Sequence, residues 1–215
     1  IAHEVNNPLG VVLMFSHLLI DELGKDSKHA EDLKTIVEHA DRCKRIVSGL
    51  LHFARQNKVQ FSTTNLCDLI DNTIRLHKPS VGIELRTEHQ VEDPIADVDP
   101  DQIAQILNNL VNNAAGAMPD GGSITIRTSG DAGQIRFAVA DTGRGIPEEY
   151  RKKIFDPFFT TKAAGKGTGL GLAVTYGIVK MHRGDIKVES NADPATGPTG
   201  TTFTVTLPRH AQRNA

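Results

Sequence analysis

From Val5 onward, apolar residues recur at Leu9, Val12, Leu19 and Leu23, with Ser16 filling one place in an alternation of four- and three-residue steps. That spacing keeps them on one side of a helix and makes a seam. Gly24 and the polar run Lys25-Asp26-Ser27 then end the helix and open a turn. The same stepping resumes in Leu33, Ile36, Ala40, Cys43, Val47, Leu50 and Ala54, while Glu31, Asp32, Lys34, Asp41, Arg42, Lys44 and Arg45 occupy the other faces. Residues 1–57 therefore read as an antiparallel helical hairpin, with Cys43 in its buried seam. Two helices bury little against each other, so a second copy closing a four-helix bundle is expected, making this a dimerisation element. The alternative is that the stripe packs on the rest of the chain.

After residue 58 the period changes. An extended stretch at 59–63 leads to a helix over 66–77 and a strand near 83–87, and Ala96-Asp97-Val98-Asp99 follows. A helix then runs from Pro100, a legal first-turn proline, to about residue 118. Pro119-Asp120-Gly121-Gly122 is a strong turn signal, and two alternating runs, 123–129 and 134–140, flank Gly130-Asp131-Ala132-Gly133 as a β-hairpin. A glycine-rich stretch precedes a helix over 170–182. Strands over 185–189 and 201–207 follow, and 209–215 is a polar tail. Helices and strands are segregated rather than alternating, so 58–208 is expected to be a sandwich with helices over one sheet face, and the whole chain α+β.

Composition narrows the function. Of 215 residues 39% are hydrophobic and 23% charged, enough apolar mass for a core. Lys and Arg total 24 against 26 Asp and Glu, a net charge of −2, so no basic excess points to nucleic acid. No stretch approaches a membrane span and no signal peptide opens the chain, which leads to an expectation of a cytoplasmic protein without membrane contact in this region. Two cysteines make neither a disulfide framework nor a four-ligand zinc site.

The first chemical constellation is His3-Glu4-Val5-Asn6-Asn7-Pro8. A zinc-binding His-Glu-x-x-His helix needs a histidine where Asn7 stands, so that ligand pair is missing. What remains is an imidazole followed by a carboxylate. Neutral imidazole is a nucleophile, and the carboxylate can take its proton. Asn7 lies one turn from His3, where it can hold a water or a phosphoryl oxygen. Pro8 removes the helical donor for the Glu4 carbonyl, allowing a bend. A plain surface histidine is the alternative.

Asn109 and Asn113 share one face of the helix whose apolar stripe is Ile106, Leu107, Leu110, Val111 and Ala114. Amide oxygens suit a hard cation such as Mg²⁺, although surface asparagine is the plainer reading. Asp141-Thr142-Gly143-Arg144-Gly145-Ile146-Pro147 follows a strand. A carboxylate there can accept from an exocyclic amine while glycines let the backbone approach a flat ligand; an ordinary strand-to-helix turn opened by Pro147 is the alternative. Phe155-Asp156-Pro157-Phe158-Phe159-Thr160-Thr161-Lys162 precedes Gly165-Lys166-Gly167-Thr168-Gly169-Leu170-Gly171-Leu172. Glycines at alternate positions before a helix make a phosphate-cradling loop, with neither the Walker A nor the dinucleotide spacing.

Together these blocks resemble the histidine protein kinases of two-component signalling. Residues 3–9 look like the H box, 106–117 the N box, 141–147 the G1 box, 155–162 the F box and 165–172 the G2 box. Gly200-Thr201-Thr202-Phe203 resembles the closing strand of the ATP-binding fold shared with heat-shock protein 90 and DNA gyrase B. The order holds over residues 1–208, and the His-Glu-x-Asn-Asn-Pro block is similar to the nitrogen-regulation-like branch.

The resemblance implies that His3 is the phosphoacceptor, Glu4 the general base and Asn7 a water-positioning residue in dephosphorylation of the partner. It implies ATP and Mg²⁺ as cofactors, with the metal on Asn113 and Asn109, and Asp141 reading the adenine amine beside Thr201. Gly143, Gly145, Gly167, Gly169, Leu170 and Gly171 shape the pocket, Lys162 and Thr168 lie near the phosphates, and 155–164 is a mobile lid. Where some relatives carry a basic residue three places after the second N-box asparagine, this chain has Gly116. Expected partners are a response-regulator receiver domain and a second copy of the chain, and the chain is expected to be the catalytic part of a longer sensor kinase. A silent nucleotide-binding interaction module and a serine/threonine kinase on the same ATP fold remain as alternatives.

Overall fold

The computed structural model describes residues 2–24, 27–55, 59–77, 82–162 and 167–210; the side chains of 2–6, 42 and 44–55 are outside that description. The described residues fall into two compact units, Ile1–Lys58 with Pro157–Leu170, and Val59–Asp156 with Gly171–Ala215.

In the first unit α1 (Ala2–Leu23) and α2 (Ala30–Arg55) form the expected hairpin. Gly24 closes α1 with φ +78°, the left-handed conformation that suits glycine at a helix end. Ser27 opens the return: its carbonyl accepts from Ala30 N at 2.9 Å and its hydroxyl from His29 N at 3.3 Å. The face turned inward is Leu9, Leu13, Ser16 and Ile20 with Ala30, Leu33, Val37 and Ala40. The expected seam is thus split. Leu9, Ser16, Leu33 and Ala40 face inward, whereas Val12, Leu19, Leu23 and Ile36 are exposed. The small residues Ser16, Ala30 and Ala40 are the most buried, because they let the two backbones approach closely. Cys43, expected in the buried seam, is exposed. Val47, Leu50 and Ala54 lie among the undescribed side chains.

The second unit is built on a five-stranded sheet in the order β2-β4-β5-β7-β6. Its strands are β2 (Ile83–His89), β4 (Gly122–Gly130), β5 (Gln134–Asp141), β6 (Asp185–Asn191) and β7 (Gly200–Pro208). β2 runs parallel to β4 and every other pairing is antiparallel. Alternation sorts the two faces: Ile124, Ile126, Ile135, Phe137, Val139, Ile186, Phe203, Val205 and Leu207 are buried. Helices α3 (Leu66–Leu76), α4 (Pro100–Gly116) and α6 (Gly171–Met181) supply the opposing apolar layer, with a single turn, α5 (Glu148–Arg151), after the β5 loop. Residues Ile103, Ile106, Leu107, Leu110, Val111 and Ala114 of α4 are all buried. Asp99 caps α4, and Pro100 occupies its first turn as the sequence predicts.

The expected extended stretch at 59–63 is displaced. The strand β1 is Ser62–Asn65 and pairs with β3 (Ile95–Val98) in a separate two-stranded sheet. Asn65 ends it by capping α3, its Oδ1 accepting from Cys67 N and Asp68 N. Arg209, just beyond β7, is buried and donates to the carbonyls of Asp131 and Ile95.

Candidate nucleotide site

Asp141 is the last residue of β5, opposite Thr201 on β7. Its Oδ1 accepts from Gly143 N at 2.9 Å, which curls the chain back on itself. Burial pushes the Asp141 carboxyl above its ordinary pKa, and the N–H groups of Gly143 and Thr201 offset part of that rise. Gly143 has no room for a side chain: a Cβ there would lie 2.9 Å from both the Cβ and the carbonyl oxygen of Ala117. That close fit, together with Arg144 N donating to Ala117 O at 3.3 Å, seats the 141–147 loop against the end of α4.

Asn109 and Asn113 stand half-buried on one face of α4, while Asn108 and Asn112 are exposed. Asn113 is one turn before Ala117, so the asparagine face runs towards the Asp141 loop. Asn109 Nδ2 donates to Gly171 O at 3.1 Å and to Thr175 Oγ1 at 3.4 Å, both on α6. The first residue of α6 is thereby held beside the asparagine pair.

A hydroxyl network that the sequence did not reveal supports Asp141 from below. Ser190 Oγ accepts from Ile146 N at 2.8 Å, donates to Gly200 O at 2.8 Å and lies 2.9 Å from Thr201 Oγ1. A hydroxyl has one proton, and that of Ser190 goes to Gly200, so the buried Thr201 hydroxyl donates to Ser190 and keeps only lone pairs for other partners. Arg151 adds donors to the carbonyls of Ser190 and Ile146. Ser190 is an ordinary polar position in the alternation of β6, and only the register Ser190↔Thr201 gives it a role.

In the other unit, Phe158 and Gly169 close the base of the glycine-rich segment. Phe158 N donates to Gly169 O at 2.9 Å, and both residues have positive φ, 69° and 66°. A Cβ on Gly169 would fall 2.4 Å from the Phe158 carbonyl carbon, so only glycine fits. Lys162 N donates to Thr160 Oγ1, Leu170 N donates to Thr168 Oγ1, and Gly167 packs on the Lys162 side chain. Leu170 is buried. Lys166 and 163–165 lie outside the described residues.

The predicted residues therefore fall into three groups. Asn109, Asn113, Asp141, Gly143, Gly145, Gly171 and Thr201 are assembled in the second unit, and Lys162, Gly167, Thr168, Gly169 and Leu170 share a loop of the first. His3, Glu4 and Asn7 lie on α1, where Asn7 is exposed and the side chains of His3 and Glu4 are outside the described residues. Among the described residues no cluster of three or more His, Cys, Asp or Glu is arranged to hold a metal.

Two family models match. Residues 98–211 fit the histidine kinase-, DNA gyrase B- and HSP90-like ATPase, and residues 1–58 fit the His Kinase A (phospho-acceptor) domain. Curated relatives include the sensor kinase CckA of Brucella abortus, 38% identical over 97% of this chain and 23% of its own. The signal transduction histidine-protein kinase AtoS of Escherichia coli is 34% identical over 100% of this chain and 34% of its own. Sporulation kinase A of Bacillus subtilis is 35% identical over 97% and 34%. The chain thus spans between about a quarter and a third of these relatives. Among solved structures, full-length ShkA in complex with AMPPNP superposes with a TM-score of 0.74 at 26% identity, covering 98% of this chain and 45% of that one. Histidine kinase ThkA in complex with the response regulator protein TrrA gives 0.69 at 29% identity, covering 97% and 59%.

Proposed function

Because the chain belongs to the histidine kinase-, DNA gyrase B- and HSP90-like ATPases and carries a His Kinase A phospho-acceptor domain, we propose that it is an ATP-dependent autokinase. It phosphorylates His3 and passes the phosphoryl group to an aspartate of a response regulator. The observation that carries this reading is the meeting of Asp141, Gly143 and the asparagine-bearing end of α4.

Asp141 accepts from the exocyclic amine of adenine, and Thr201, its proton committed to Ser190, adds lone pairs beside it. A guanine carbonyl in the same place would face acceptors only. Asn113 and Asn109 would hold Mg²⁺. The fit is chemical: the Asn109 nitrogen is engaged on α6, leaving its amide oxygen as the ligand atom. When bound, Mg²⁺ neutralises charge on the ATP phosphates. Lys162, Thr168 and the amides of Gly167, Gly169 and Gly171 supply the remaining phosphate donors, in the absence of a basic residue at Gly116.

His3 Nε2 attacks the γ-phosphorus, the bond to the bridging oxygen breaks, ADP leaves, and Glu4 accepts the imidazole Nδ1 proton. Asn7 orients water when the phosphorylated partner is hydrolysed. Two copies pair through the hairpin. Phe15 is 55% exposed and Leu19 42%, and Val11, Val12, Leu18 and Leu23 extend the same apolar surface, more than an isolated hairpin leaves wet. A cytoplasmic location follows from the partner chemistry, and no described helix is long and apolar enough to cross a membrane. The His-Glu-x-Asn-Asn-Pro block supports a place in the nitrogen-regulation-like branch. A silent nucleotide-binding module and a serine/threonine kinase would give different labelling.

The test is transfer of label from γ-labelled Mg-ATP to wild type and His3→Ala. Label that survives alkali, is lost in acid and is absent from His3→Ala is expected of a phosphohistidine. Acid-stable label persisting in His3→Ala would establish a serine/threonine kinase instead, and no label in wild type would make the chain a silent module.

A further inference from the structure

Asp99, between β3 and α4, is buried and engages three groups at once. Its Oδ1 accepts from Gln102 N at 3.2 Å and so caps α4. Its Oδ2 accepts at 2.9 Å from Gln60 N, thirty-nine positions earlier in the chain. Its own N–H donates to His182 Nε2 at 3.1 Å, at the end of α6. Phe61, beside Gln60, meets the His182 ring edge-on with centroids 5.4 Å apart.

Capping explains only the first of these bonds. One oxygen suffices for an N-cap, and serine or asparagine serves as well. The bond to Gln60 does something else. Residues 59–61 come before β1 and have no strand partner, since the pairing with β3 begins at Ser62. A carboxylate accepting from Gln60 N ties the segment that precedes β1 to the first turn of α4.

We propose that Asp99 is a positioning residue for phosphoryl transfer, clasping the incoming chain at Gln60 to the first turn of the helix that bears Asn109 and Asn113. The role rests on the reading of the chain as a His3 autokinase. A connector anchored at a fixed point keeps the effective concentration of bound nucleotide at His3 high, whereas a loose one spreads the same nucleotide over more arrangements. The pocket itself does not depend on the clasp. Losing it should therefore slow transfer and leave nucleotide binding alone.

Two variants of the whole chain separate the roles. Asp99→Ser keeps a cap for α4 but is too short for the second bond. Gln60→Pro deletes the donor and leaves every atom of Asp99 in place, so a folding defect in the first variant does not remove the test. Labelling rates measured against ATP concentration are expected to show a maximal rate about tenfold lower in both, with half-saturation within about twofold of wild type. An unchanged maximal rate in Gln60→Pro, or a raised half-saturation with the maximal rate kept, would overturn the clasp while leaving the autokinase intact. Absence of any label from wild type would instead overturn the autokinase reading, and the clasp with it.

Discussion

The side-chain amide of Asn109 donates to the carbonyl oxygen of Gly171 at 3.1 Å, joining the middle of α4 to the first residue of α6. An aspartate in its place keeps an oxygen for a cation but has no proton to donate, and it would turn a charge towards that carbonyl. Asn109→Asp is expected to destabilise the chain by about 1–3 kcal/mol in urea denaturation. It should also weaken Mg-ATP binding, measured by calorimetry, although a metal-ligating oxygen is retained.

Asp141 carries its charge against burial. Its folded pKa is raised, so any stability it contributes is present below the unfolded value and is lost as pH rises through the folded one. At neutral pH the charged carboxylate is a cost. Asp141→Asn is therefore expected to match or exceed the thermal midpoint of wild type at pH 7. With its oxygen turned to Gly143 N, the new amide would present N–H groups to an adenine amine. Nucleotide affinity should fall at least about tenfold, equivalent to about 1.4 kcal/mol. Normal ATP binding by Asp141→Asn would refute the adenine assignment.

His182 must be neutral to do what it does. Its Nδ1–H donates to Ile178 O at 2.9 Å, so Nε2 accepts from Asp99 N, and a protonated ring could not accept. Burial lowers its pKa, with the Ile178 carbonyl and the Asp99 carboxylate pulling the other way. Because the unfolded state then binds the proton more readily, stability is expected to fall as pH drops below about 6.5, by up to about 1.4 kcal/mol per pH unit. Chemical denaturation from pH 8 to 5 should show this slope, flattened in His182→Gln.

Phe15 and Leu19 face outward from α1 in the single chain. If they cover a second hairpin, a charge there must be desolvated on association but not on folding of the hairpin itself. The double variant Phe15→Glu, Leu19→Glu is expected to sediment as a monomer with unchanged helical circular dichroism. A dimer that persists in that variant would place the contact elsewhere.

Much of the fold was legible because its signals are local. The first-turn proline Pro100, the turn at 119–122 and the alternation of β4 and β5 each depend on a few neighbouring residues, and the helices and strands formed where those signals stood. The Asp141-to-Ile146 loop was readable for the same reason: its glycines and carboxylate are consecutive. Helical spacing also found the hairpin, yet it could not say which neighbouring stripe faced the partner helix. Val12 and Leu13 are equally apolar, and the choice of Leu13 and Ile20 follows from where Ser16, Ala30 and Ala40 let the backbones close.

What tertiary structure alone decided are relations between distant segments. Ser190 acquires its role from register with Thr201, β1 from the partner strand at 95–98, and Asp99 its second bond from Gln60. A periodic pattern reports which face of an element is apolar. It carries no information about which other element meets that face, because that is settled by the packing of the whole chain at once.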